Sequence, residues 1–191
     1  RIQGALYAIN SIEDEGIFRQ SRKQVIYNAV PFLGVFLAFA IMLLTSEGFA
    51  VDPQTREVYM EPNKYLHNLL EMPLTGIFFL VGVLGVLGGI ALTVFQNSTK
   101  GIWFVGAGTV LTVFALFLIA GFNHTAFYPS TFDLQSSLTI QNSSSSHYTL
   151  TAMSYVSLLV PVVAGYIWYV WRSMNKKKIT SEEMETEEHA Y

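Results

Sequence analysis

Residues 72–95 read MPLTGIFFLVGVLGVLGGIALTVF, and after a short polar break residues 102–122 read IWFVGAGTVLTVFALFLIAGF. Neither stretch contains Asp, Glu, Lys, Arg or His. A bilayer core takes about 20 apolar residues as helix, and within it a helix satisfies every peptide group internally. Each stretch therefore reads as a membrane-spanning helix. Further out, residues 25–44 and 150–171 have the same length and the same lack of charge, and each carries one proline, Pro31 and Pro161. A proline is tolerated in such a helix where neighbours satisfy the freed carbonyl. The expected fold class is an all-α integral membrane protein whose four transmembrane helices form one four-helix bundle.

Composition agrees. The 191 residues are 51% apolar and only 13% charged, against about a quarter charged in a soluble domain. Mean hydropathy is +0.38. There is no cysteine, hence no disulfide, thiolate metal site or cysteine nucleophile. The short apolar piece at residues 2–9, followed by Glu13, Asp14 and Glu15, is no signal peptide. It reads as the end of an earlier helix, with residues 1–24 as that end plus a connector, and the chain as part of a longer one.

Orientation follows from the basic residues flanking the spans. Arg1, Arg19, Arg22, Lys23, Lys100, Arg172, Lys176, Lys177 and Lys178 fall on one side, nine of the eleven, and only Arg56 and Lys64 on the other. The first side is expected to be cytoplasmic, with residues 172–191 as a solvated tail. Trp103 after Lys100, and Tyr166, Trp168, Tyr169 and Trp171 before Arg172, sit where interface anchors belong.

The outer loop 123–149 runs into the fourth span through SLTIQNSSSSHYTLTAM (residues 137–153). One of residues 144–149 is expected to cap the fourth span, since Ser and Thr accept from the free N–H groups of a helix start. Residues 137–140 alternate like a short extended piece. Composition alone leaves both a flexible linker and a fixed structure open.

Candidate chemistry is sparse. His67, His124, His147 and His189 all lie outside the spans and lack metal-ligand spacing. Met42 and Met153 lie inside spans, where a lone Met reads as packing. No ionisable residue lies within a span, although such residues are the usual mark of a proton or ion path. Glu71, before Pro73, reads as a first-turn carboxylate favoured by the helix dipole. Asn28, Thr75, Thr93, Thr109 and Thr112 read as bonds between helices, and Gly82, Gly85, Gly88 and Gly89, with the pair Gly85/Gly89, as a close-packing stripe. The triplets at Asn97, Asn123 and Asn142 are expected to carry no glycan. No catalytic, cofactor-binding or metal-binding residue is assigned.

FNHTAFYPSTFDLQSSLTIQNSSSSHYTLTAMSYVSLLVPVVAGYIWYVW (residues 122–171) resembles the last part of subunit II of the cytochrome bd-type quinol oxidases. The matching positions are Pro129, Ser130, Ser137, Leu138, Thr139, Ser144, Ser145, Thr149, Leu150 and Pro161. QGALYAINSIEDEG (residues 3–16) and KKKITSEEM (residues 176–184) extend the resemblance to both ends, while His147 departs from it. The resemblance implies a bacterial inner-membrane respiratory oxidase that oxidises quinol and reduces oxygen to water. It implies haems b and d in a partner subunit I, and this chain as the second bundle of a haem-free subunit. Membrane lipid and a structural quinone are its other expected partners, with no nucleic acid. The loop is then expected to be ordered. A subunit of a small transporter or channel, or a purely structural four-helix module, remains the alternative.

Overall fold

The computed structural model describes residues 1–174 and 179–180. The expectations for His189 and the acidic tail fall outside them. The chain begins with α1 (Ile2–Ser11) and β1 (Ile12–Glu13), then α2 (Glu15–Thr45), capped by the Asp14 carboxylate accepting from the Ile17 N–H at 2.7 Å. The expected connector is therefore mostly helix, because that cap starts α2 ten residues before the apolar span. On the side expected to be outer, a hairpin, β2 (Gly48–Val51) and β3 (Val58–Glu61), leads to the short helix α3 (Lys64–Glu71). Then come α4 (Pro73–Gln96) and α5 (Gly101–Gly121). Beyond a 3-10 turn at Leu134–Ser136, α6 (Ile140–Ser143), α7 (His147–Ser157) and α8 (Val160–Met174) precede β4 (Ile179–Thr180), which pairs in parallel with β1. Four helical stretches are long and apolar enough to cross a membrane.

The α4–α5 pair is the tightest packing. A Cβ added to Gly108 would lie 2.6 Å from Gly82 O, and one added to Gly89 would lie 2.7 Å from Gly101 O. Only glycine lets the two backbones approach so closely. The Gly85/Gly89 stripe is thus met by a second one on α5, Gly101 and Gly108. Leu6 and Ile9 of α1, Val25 and Ala29 of α2, Ile90 of α4 and Val105 of α5 form the core between them.

Thr109 bonds between helices as expected, while the bonds of Thr93, Thr112 and Asn28 run to their own helices. Thr93, Thr109 and Thr112 donate to carbonyls four residues back on their own helices, at 3.2, 2.7 and 2.8 Å, and Asn28 donates to Gln24 of its own turn. The nearest acceptor for a helical hydroxyl is its own preceding turn. Thr109 alone of these also accepts across helices, from Gln3 Nε2 at 3.1 Å.

The fourth span breaks at Pro161, while α2 runs through Pro31. Proline removes one N–H and its ring crowds the carbonyl four residues back, here Ser157. The turn before it tightens: Leu158 donates to Tyr155 O and Leu159 to Val156 O. No described residue of α7 or α8 is buried. Three spans and α1 make the packed body, and the fourth stands with its flanks open, meeting α1 where Trp171 stacks on Tyr7 at 6.4 Å. Its one glycine, Gly165, has nothing near it. Bulky faces on this helix do not permit the glycine-to-glycine contact of α4 and α5.

Candidate functional site

The polar chemistry gathers on the outer face, where the two outer loops are knitted together over the ends of the spans. The turn after α5 joins the hairpin through an isolated bridge, Thr125 opposite Ala50. Val51 donates to His124 O and Ala126 to Phe49 O, both at 2.8 Å. Val51, Val58 and Ala126 are buried there with Leu134 against them. The Gln135 side chain completes the β3 edge: its Oε1 accepts from the Val58 N–H and its Nε2 donates to Val58 O, each at 2.9 Å. A single side-chain amide thus pairs like a strand.

Beneath this cap lies Asn68 of α3, fully buried. Its amide donates to Ile119 O and to Thr125 Oγ1, both at 2.8 Å. Its Oδ1 accepts from Asn123 Nδ2 at 3.0 Å, and Asn123 also donates to Glu71 Oε2. Glu71 is the last residue of α3 rather than part of the first turn of α4. The helix dipole is not what holds it: Pro73 opens α4 and leaves Glu71 on the preceding helix, where Asn123 binds it. Asn97 and Asn123 both have left-handed backbone, φ 53° and 56°, a conformation asparagine adopts more readily than other side-chain-bearing residues.

The serine run is ordered in detail. Ser137 is buried and its hydroxyl accepts from the Ser130 N–H at 3.0 Å. Leu138 pairs with Tyr128, and Thr139 caps α6 in a reciprocal box with Asn142. The extended piece therefore ends at Thr139, one residue earlier than expected, because that box starts a helix at Ile140. Ser143 and Ser144 donate back to Thr139 O and Ile140 O, and Ser146 caps α7 by accepting from Thr149 N. Each of these hydroxyls has a task at a helix end. Among the described residues, no buried side-chain nitrogen or oxygen lacks a partner.

The main titratable cluster is Glu61, Lys64 and His67. Glu61 pairs with His67 Nδ1 at 2.8 Å and with Lys64 Nζ at 3.3 Å. The His67 hydrogen bond is the largest influence on the Glu61 carboxyl; burial opposes it, the Lys64 charge adds to it, and the carboxyl is held below its usual value. The cluster fastens α3 to β3, and Lys64 lies under Gly48 of the hairpin.

The donors do not converge on a haem or a metal. His67 is committed to Glu61, His124 sits in the left-handed turn after α5, and His147 opens α7. Met42 and Met153 are exposed on their spans. Among the described residues no three of His, Cys, Asp or Glu come together. As placed, these residues do not come together around a haem on this chain. The arrangement locks two loops onto three helix ends. Nothing local in the sequence marks the burial of Asn68 or the pairing of the exposed Gln135 with β3.

Over residues 1–174 the chain matches the family described as cytochrome bd terminal oxidase subunit II. It is 30% identical over 145 residues to the cytochrome bd-I ubiquinol oxidase subunit 2 of Escherichia coli K12, covering 74% of this chain and 36% of that relative. The figures are the same for the proteins of that description from Escherichia coli O6:H1 and O157:H7. The chain spans little more than a third of the length of these curated relatives.

Proposed function

The chain belongs to the cytochrome bd terminal oxidase subunit II family, and from that premise we propose that it acts as a haem-free helical partner of a haem-bearing subunit I. That complex would oxidise quinol and reduce oxygen to water, with haems b and d in subunit I. The chain would lie in the bacterial inner membrane with both of its ends on the cytoplasmic side. Lipid surrounds it on this reading, and a quinone lodged between its helices is compatible with the same role.

The observation that carries the proposal is the outer cap. Its polar groups are held, yet it turns large apolar side chains outward: Phe132 is 99% exposed and Tyr148 84%. A tether has no use for aromatic residues on a fixed frame, whereas a docking surface does. The spans add no ionisable group that would mark a transport path, which disfavours a channel or transporter subunit.

The test is spectroscopic. His67, His124, His147 and His189 are replaced together by Gln, and reduced-minus-oxidised spectra of the assembled complex are recorded. Every haem band should remain. Loss of a band while subunit I is still present would place a haem ligand on this chain and end the haem-free reading.

A further inference from the structure

At the end of the molecule opposite the outer cap, α8 stands off from α1 and α5 and leaves a cleft of about 290 Å³. Its lining is Tyr7, Asn10 and Ser11 from α1, Ile102 and Trp103 from α5, and Trp168, Trp171 and Arg172 from α8. Arg172 lies over the Trp168 ring, its guanidinium carbon 5.5 Å from the centroid, and Trp171 stacks on Tyr7 to close one wall. Indole rings at the start of one span and the end of another mark the level of the membrane–water boundary. The cleft therefore opens where headgroups meet acyl chains.

The geometry points to this cleft as a binding site for one anionic phospholipid. Among the described lining residues Arg172 is the one charged group and none is a carboxylate. A phosphodiester carrying a net negative charge matches that sign. A zwitterionic headgroup would bring a quaternary ammonium to the same cation. A planar guanidinium already stacked on an indole is pre-organised to take two phosphate oxygens at once. Asn10 and Ser11 offer neutral hydrogen bonds to the glycerol and ester oxygens, while Ile102 and Trp103 provide an apolar wall for the first methylenes. Basic pockets between helices at the membrane boundary hold such headgroups in general. No described residue of α8 is buried, so a lipid seated here would fill a gap between the fourth span and the packed body.

The protein is extracted in detergent with whatever assembles on it and stripped of lipid. Its thermal midpoint and lipid retention by native mass spectrometry are then followed with phosphatidylglycerol, phosphatidylcholine or inorganic phosphate added. Phosphatidylglycerol should raise the midpoint and remain bound, and the other two should not. Arg172→Gln should weaken retention about fivefold, one basic residue's share of attraction to an anionic lipid. Arg172→Lys, which keeps the charge but loses the planar fork, should retain more lipid than the Gln variant, and the thermal midpoint of each variant without added lipid shows whether it is folded. Equal effects of the two lipids, a response to inorganic phosphate alone, or full retention in Arg172→Gln would overturn the assignment.

Discussion

Asn123, in left-handed backbone just after α5, donates its amide to Oδ1 of Asn68 at 3.0 Å, joining residues 55 apart in the chain. That bond ties the second outer loop to the helix that ends the first. Because Asn68 also donates to Ile119 O of α5 and to Thr125, one side chain reads the position of three segments at once. The outer cap is held chiefly by such amides.

Asn68→Leu should therefore be among the most damaging single changes on the outer face. It keeps the volume approximately but takes a donor from Ile119 O and one bond each from Thr125 and Asn123, and a buried group left unpaired costs about 1–3 kcal/mol. The expected outcome is a lower thermal midpoint and less protein in the membrane. Asn123→Ala, at a more exposed position, should cost less. Equal loss from both would mean that burial of Asn68 is not what matters.

The α4–α5 contact gives an internally controlled test. Gly108→Ala places a methyl 2.6 Å from Gly82 O and 2.7 Å from Val86 N, backbone atoms that cannot rotate away. The pair must separate, at about 1–3 kcal/mol for overpacking. Gly106→Ala, on the same helix with nothing within 4 Å, should leave the thermal midpoint unchanged. If both behave alike, the glycine stripe is not a close-packing seam.

The spans could be read directly because some 20 apolar residues have so few other solutions. The helix cap was equally plain: Ser146 occupies the window expected from its hydroxyl. The Gly85/Gly89 stripe was visible too, but not its opposite number, since nothing in residues 101–108 says which helix they will meet. The hairpin, α3, Asn68 and Gln135 were hidden for the same reason: their stability comes from contacts far apart in sequence, and their residues alone look like ordinary polar loop. Pro161 shows the limit from the other side. The same residue type at Pro31 sits in an unbroken helix, and only the surrounding packing separates the two cases.

Glu61 should make the outer face acid-sensitive. Its carboxyl is held below the usual glutamate value of 4.5, first by His67 and then by Lys64. A group whose folded pKa is depressed stabilises fully above its unfolded pKa, and that contribution disappears as pH falls through the folded value. Exchange protection in residues 58–71, taken relative to the intrinsic rate at each pH, should accordingly fall once pH drops below 4.5. Glu61→Gln should flatten that dependence and start from faster exchange at neutral pH. An unchanged pH profile in the variant would assign the sensitivity elsewhere.

Topology follows from the basic residues. With nine of the eleven on one side, reporter fusions placed within residues 54–63 and at Tyr191 should report opposite compartments, the second of them cytoplasmic. The same compartment for both would remove the arrangement of four membrane crossings.

The serine loop offers the sharpest separation between assembly and catalysis. A loop that only joins two helices tolerates a changed sequence at small cost, because closure entropy grows slowly even with length. This loop does more than join. Ser137 holds the Ser130 N–H, Asn142 donates to Ser137 O at 2.9 Å, Leu138 pairs with Tyr128, and Thr139 with Asn142 starts a helix. Replacing residues 137–146 by a Gly/Ser linker of equal length keeps the connection and removes Leu138, Thr139, Ile140 and Asn142 together. The chain should then lose the frame that presents Phe132 and Tyr148. Less complex should accumulate in the membrane, with near-normal quinol oxidase turnover in what does assemble, since no reacting group has been removed. Assembly at the wild-type level would make the loop a tether after all. Full assembly with poor turnover would give it a part in the chemistry and contradict the purely architectural role proposed for this chain.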